Sequence, residues 1–280
     1  MRPAGAGRPR PGRLATLWTT LGLALSLLLS PAADAAPPRL ALIIDDLGPN
    51  PVAGGRTAAL PGPVACSVLP HTAHARELAE ACHRVGKAVL LHLPMEALQG
   101  NQALGPGALR LHMTRAELLR TVEQDLAAVP HVSGVNNHMG SLLTRHPGHM
   151  LWVMEALRRR GGLFFVDSRT TARSVAWRLA REQGLPALSR DVFLDDDPSP
   201  EAVAAQFRRW LALARRRGRA LAIGHPRPAT LALLERELPR LRERGLVLVD
   251  PRELLEGGPP EGASPALRLV RRPQPIPPLP

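Results

Sequence analysis

A chain of 280 residues with 36 Lys+Arg against 24 Asp+Glu carries a net charge of +12, yet only 3% of its residues are aromatic and none is tyrosine. Its basic residues are spread along amphipathic segments without a recognition motif. That argues against a nucleic-acid partner and leaves anionic envelope surfaces or polymers as the natural complement of the charge. Two cysteines outside any C-x-x-C arrangement argue against a thiol redox centre.

Residues 1–35 read as an export leader. Arg2, Arg8, Arg10 and Arg13 precede the apolar run Leu14–Leu29, and Ala33-Asp34-Ala35 has the small-x-small form of a cleavage site. The run is short for a spanning helix, which needs roughly 20 apolar residues. An uncleaved anchor is the alternative, and both readings place the remainder in the periplasm or outside the cell. No later segment is apolar enough for an integral membrane span.

From Arg39 the chain alternates short apolar runs with amphipathic segments. Strands are expected at Leu40–Ile44, Val64–Leu69, Ala88–Leu93, Val132–Val135, Leu163–Val166, Leu185–Leu188, Ala220–Ile223 and Leu246–Val249. Helices are expected at His74–Val85, Thr114–Ala128, Pro147–Arg160 and Thr171–Gln183. Two more follow, one capped by Ser199 and running to Arg217, the other Pro228–Arg244. Thr114 and Glu117 have capping-box spacing, and Ser199-Pro200-Glu201 supplies a cap and a first-turn proline. Residues 94–112 read as a long loop over the candidate site. From Gly257 the chain turns proline-rich and basic, as a disordered or extended tail does, so the folded domain is placed at 36–256.

Strand–helix alternation at this spacing gives an α/β fold with mostly parallel strands. Seven or eight units fit a distorted (β/α) barrel better than an open doubly wound sheet, though the pattern does not decide closure. Cys66 falls in a central strand and Cys82 in the helix after it. They read as two separately buried thiols, although an oxidising compartment would permit pairing.

Polar residues gather where strands end: Asp45-Asp46, His71, His92, Asn136-Asn137-His138, Asp167-Ser168 and Gly224-His225. In parallel α/β folds that edge is where ligands bind. Neighbours on an extended segment point in opposite directions, so Asp45 and Asp46 reach one site only if the strand end is distorted, and Gly48-Pro49 makes such a turn easy. His92 interrupts an apolar strand and needs a partner there. Asp46, His92 and His138 form an oxygen–nitrogen–nitrogen set suited to zinc, with iron, cobalt, nickel and manganese also compatible. Asp45 can take a proton from water, His225 can protonate a leaving group, and Asp167 can orient that histidine or bind substrate. Glu96 is a further candidate ligand or hydrogen-bond acceptor, and His71 with His74 a weaker second pair. Asp195-Asp196-Asp197 reads as a solvated loop. Ser67, Ser141 and Ser168 lack a G-x-S-x-G elbow, and no G-x-G-x-x-G or P-loop occurs.

The order ALIIDDLG, CSVLP, VLLHLPME, GVNNHMGS, FFVDSRT and AIGHPR, across residues 39–254, resembles the divergent polysaccharide deacetylase family, a distant branch of the NodB-like carbohydrate esterases. The resemblance implies a distorted barrel that hydrolyses acetyl groups on sugars with a divalent metal. It gives Asp45 the role of general base, Asp46 and His92 those of metal ligands, His225 that of general acid, and Asp167 that of the acid associated with it. The usual second histidine of the metal motif is replaced by Glu96, and His138 is inferred to supply the missing ligand. An acetylated envelope glycan or peptidoglycan fragment is the implied partner. The alternatives are a non-catalytic member that binds a glycan or an envelope protein, and a metal hydrolase of another substrate class.

Overall fold

The computed structural model describes Met1 and residues 36–255. The expected leader and tail lie outside the described residues. Among the described residues, no helix is long and apolar enough to cross a membrane.

Nine strands and seven α-helices alternate along these residues. The strands are β1 (Arg39–Leu47), β2 (Ala65–Val68), β3 (Val89–Met95), β4 (Val132–Met139), β5 (Phe164–Asp167), β6 (Ala187–Ser189), β7 (Val192–Phe193), β8 (Arg219–Gly224) and β9 (Val247–Leu248). The helices are α1 (Pro51–Ala59), α2 (Ala75–Arg84), α3 (Arg115–Ala128), α4 (Pro147–Arg160), α5 (Ala176–Glu182), α6 (Pro200–Arg217) and α7 (Pro228–Glu237). Local chemistry sets several boundaries. Thr114 and Glu117 form the expected capping box on α3, and the Ser199 hydroxyl accepts from the Ala202 amide at the start of α6. The expected helix over 228–244 stops at Glu237 and tightens into a 3-10 turn at Leu238–Arg240, where Pro239 removes a backbone donor. Helix α1 was not expected: Asn50 caps it by accepting from Ala53, and Pro51 opens it.

The strands run in the order β6-β5-β4-β3-β2-β1-β8-β7, all parallel, with β9 added to the start of β1. The two ends of this path are one stretch of chain. Ala187–Ser189 pairs with β5, and after Arg190 and Asp191 the same stretch pairs with β8. The sheet therefore curls round until a single kinked segment bridges its edges, which gives the distorted barrel. A cavity of about 500 Å³ lined by Trp177, Leu188, Leu221 and Leu254 lies where that segment leaves a gap.

The central strands are buried on both faces, and successive residues alternate with period two between two clusters. Leu40, Leu42 and Ile44 join the large cluster that includes the α-helices, whereas Ala41, Ile43, Ala65, Leu90, Phe164, Val166, Leu221 and Ile223 belong to a second cluster without α-helix residues. The second cluster is the barrel interior. Continuing its alternation toward the strands' C-terminal ends predicts which polar groups point inward: Asp45 after Ile43, Ser67 after Ala65, His92 after Leu90, Ser168 after Val166, His225 after Ile223. Asn136 and His138 follow from the β3–β4 register, which pairs His92 with Asn136 and Pro94 with His138. An apolar plug thus fills the lower barrel and a polar layer sits on top of it.

Cys66 and Cys82 correct the expectation of separate thiols. They form a disulfide with a Cα–Cα separation of 6.5 Å. Cys66 faces outward from β2, and α2 returns directly over that strand, so the crossover itself brings the sulfurs together.

Candidate metal centre

The polar layer opens at the end of β1. Asp45 keeps the inward parity of the strand and is 3% exposed. Asp46 would face outward, but its backbone adopts φ 58, and the β1–β2 register breaks between Ile44 and Leu47. This is the distortion that adjacent aspartates require: the left-handed residue turns the second carboxylate back over the barrel mouth.

Three donor atoms meet there. Asp46 Oδ1 lies 3.1 Å from His138 Nδ1 and 3.2 Å from His92 Nε2, and the two histidine nitrogens are 3.2 Å apart. Donor atoms bound to one cation at about 2.0–2.1 Å stand roughly 3.3 Å from one another, so the separations suit a shared ion. The protonation pattern suits it as well. His92 Nδ1 is 3.0 Å from Asn136 Oδ1, and His138 Nε2 is 3.3 Å from the Ala103 carbonyl. Donation of the remote N–H in each ring leaves the lone pair of the near nitrogen facing Asp46. Asp46 Oδ1 is buried and makes no well-formed hydrogen bond despite its two close neighbours, as an oxygen meant for a cation would be. Burial alone would raise the Asp46 carboxyl. The adjacent His138 and His92, and the charge of His225, hold it far below the usual carboxylate range. Burial would lower the His92 imidazole, but Asp45 and Asp46 outweigh it and raise the pKa.

His225 completes the rim. Its Nε2 stands 3.7 Å from Asp46 Oδ2. Its Nδ1 is 2.9 Å from Asp195 Oδ1, while its backbone amide donates to Asp195 Oδ2 at 2.8 Å. The Thr230 hydroxyl donates to the same oxygen at 2.7 Å. Desolvation opposes charge on His225, but Asp195, Asp46 and Asp45 together raise its pKa. Asp195 itself is held below its ordinary value: burial would raise it, and the bonds from His225 and Thr230 prevail. Phe193 packs beside the His225 ring with centroids 5.3 Å apart.

Asp195 is the residue the sequence reading missed, because the run Asp195-Asp196-Asp197 resembles a solvated loop. Only Asp195 of the three is buried. Strand parity accounts for it once β7 is known, since Phe193 faces inward in register with Ile223 and Asp195 is two residues on. Conversely, the expectation that Asp167 orients His225 is corrected. Asp167 follows Phe165 on the outer face of β5, where its carboxylate accepts from Arg169 N at 2.8 Å, Ser174 Oγ at 2.7 Å and Trp177 N at 3.3 Å. It shapes the turn into α5.

Other candidates have structural partners. Glu96 Oε2 accepts from Leu111 N at 2.7 Å and staples the long loop to β3. That loop carries Ala103, the acceptor for His138. His71 and His74 do not pair: His71 Nε2 lies 2.8 Å from Asp125 Oδ1, and His74 Nδ1 lies 3.0 Å from Glu77 Oε2.

Known proteins share this chain's sequence family and fold. Residues 42–255 match the family described as divergent polysaccharide deacetylase. Uncharacterized protein YibQ of Escherichia coli (strain K12) is 40% identical over 213 residues, spanning 76% of this chain and 66%, just under two thirds, of that protein. An uncharacterized protein of Haemophilus influenzae (strain ATCC 51907 / DSM 11121 / KW20 / Rd) is 37% identical over 205 residues, covering 73% of this chain and 72% of its own. The crystal structure of uncharacterized protein ATU2773 from Agrobacterium tumefaciens C58 superposes with a TM-score of 0.75 at 21% identity, over 80% of this chain and 92% of that one, and so shares the fold. Matched over well more than half its length, with the motif order and barrel rim described above, the chain is a member of the divergent polysaccharide deacetylase family.

Proposed function

We propose that this chain is a divalent-metal-dependent hydrolase that removes acetyl groups from an envelope polysaccharide or peptidoglycan-derived sugar, acting in the periplasm or outside the cell. One observation carries the reading. Asp46, His92 and His138 bring three donor atoms within 4.8 Å of one another, and each imidazole has its remote nitrogen already engaged by an acceptor.

A divalent cation held by Asp46, His92 and His138, most naturally zinc, would supply Lewis-acid polarisation of the acetyl carbonyl. The protein's own groups account for the proton transfers. Asp45 Oδ2, 3.6 Å from His92 Nε2, borders the same centre and accepts the proton of the attacking water. The water oxygen bonds to the acetyl carbon. As the carbon–nitrogen or carbon–oxygen bond to the sugar breaks, His225 Nε2 gives its proton to the departing amine or alcohol, and acetate leaves. Asp195 holds His225 in the orientation and charge state this step needs. The segment after β3 reaches His138 through the Ala103 carbonyl, 3.3 Å from Nε2.

The reading is tested on purified protein loaded with zinc. Release of acetate from acetylated peptidoglycan fragments is expected, abolished by Asp45→Asn while zinc remains bound. Stoichiometric zinc without acetate from any acetylated glycan would point to a binding protein or a hydrolase of another class. Absence of zinc, iron, cobalt, nickel and manganese after reconstitution would end the metal reading.

A further inference from the structure

The polar layer contains a hub that the proposed chemistry uses only as the acceptor for His92. Asn136 lies on the inner face of β4, is 0% exposed, and is in register with His92 on β3 and Val166 on β5. Its amide is fully used. Oδ1 accepts from the Ser67 hydroxyl at 2.6 Å and from His92 Nδ1 at 3.0 Å. Nδ2 donates to Asp45 Oδ1 at 2.8 Å and to the Ser168 hydroxyl at 3.3 Å. One planar group therefore touches β1, β2, β3 and the residue that follows β5, and two of its contacts are the proposed base and a proposed metal ligand.

The order of these bonds has a chemical consequence. A carboxylate only accepts, so the Asn136 NH₂ must face Asp45. The carbonyl oxygen then faces His92 Nδ1, which must carry the hydrogen. With the hydrogen there, His92 Nε2 presents a lone pair toward Asp46 and His138. We infer that Asn136 is a positioning residue that ties the aim of Asp45 to the tautomer of His92, so that base and ligand are set together by one amide. Serine, with one hydroxyl hydrogen, cannot donate to Asp45 and Ser168 together as the Asn136 NH₂ does. Aspartate can accept from His92 but sets a carboxylate against Asp45. Leucine would leave Ser67, His92, Asp45 and Ser168 without this partner.

This inference rests on the roles proposed above for Asp45 and His92, and the test keeps the two readings separable. Full-length protein labelled with ¹⁵N-histidine is compared, free of metal, with Asn136→Ala and Asn136→Asp by long-range ¹H–¹⁵N correlation. Zinc affinity and acetate-releasing turnover are measured in parallel, each per folded molecule. At a pH high enough to leave the ring neutral despite its two aspartates, wild type should show His92 as the Nδ1–H tautomer. Asn136→Ala should lose that single tautomer and bind zinc about 10–100-fold more weakly. Asn136→Asp should keep the tautomer and bind zinc within a fewfold of wild type, yet turn over more than about tenfold more slowly. That split is not what a merely structural residue would give. If both variants lose only thermal stability, with the His92 signal, zinc affinity and turnover unchanged, the inference is overturned. Should Asn136→Ala fail to fold, Asn136→Asp still decides: equal turnover refutes the link to Asp45. If wild type binds no zinc, the proposed function falls, while the metal-free His92 signal still tests the hub.

Discussion

Asp195 and Asp167 invite comparison. Asp195 lies just beyond a short strand and Asp167 ends one, both at the C-terminal rim; each is buried, and each accepts three hydrogen bonds from nearby donors. Asp195 faces inward and spends two of its bonds on His225; Asp167 faces outward and spends all three on its own loop. Burial, charge and position at the rim are therefore not enough to mark a carboxylate as part of the site. The deciding variable is which face of the strand it occupies, because the inner face leads to Asp46 and the outer face to the helices. The same division separates the inward Asp45, Ser67, His92 and Asn136 from the outward Cys66 and from Asp125 on α3.

Four experiments test whether inner-face changes alter rate while outer-face changes alter stability. The largest effect is expected from Asp195→Asn. It keeps the shape but weakens the hold on the His225 imidazolium, so turnover should fall roughly 10²–10⁴-fold with zinc affinity little changed; a loss of zinc instead would place Asp195 among the supports of the cation. Replacing Cys66 and Cys82 by serine frees a link between residues 16 apart in sequence and should cost about 3 kcal/mol, read from urea unfolding. Turnover per folded molecule should survive, and its loss would show that the outer face reaches the site through β2. Asp167→Asn should cost about 1–3 kcal/mol by leaving a donor poorly matched in the α5 turn. A collapse of turnover at unchanged stability would return Asp167 to the catalytic set and break the comparison.

The smallest effect concerns pH. Burial pushes the Asp125 carboxyl from 3.8 up to about 8, beside His71 Nε2 at 2.8 Å. The folded state then holds a proton that the unfolded chain releases. The stability gained is full below about pH 4 and is lost progressively as pH rises through about 8. Urea midpoints should decline across that window in wild type and decline less in Asp125→Asn. An equal slope in both would show that His71 already compensates the charge.

Much of this was legible in the residues. The apolar runs from Leu40 onward gave eight of the nine strands, and the caps at Thr114 and Ser199 gave helix starts, because these signals depend on near neighbours. Six polar strand ends pointed to one rim. Asp45-Asp46 also carried its own requirement for a distorted strand end, met by φ 58 at Asp46. The two-residue β7 was too short to leave a pattern, and with it went Asp195, hidden among three aspartates. Asp167 was misassigned because a strand end was treated as a point on the rim rather than as a face of the sheet.

From its sequence alone, this protein's α/β class, parallel strands, polar rim and family resemblance could be read, since periodicity and motif order are local and survive without coordinates. Tertiary structure alone decided that Ala187–Phe193 bridges the sheet edges, that Cys66 meets Cys82, that His225 rests on Asp195, and that Asn136 joins Asp45 to His92. Each of these is a meeting between segments far apart in the chain. Such meetings depend on interstrand register and on one left-handed residue at a strand end, neither of which the pattern of neighbouring residues specifies.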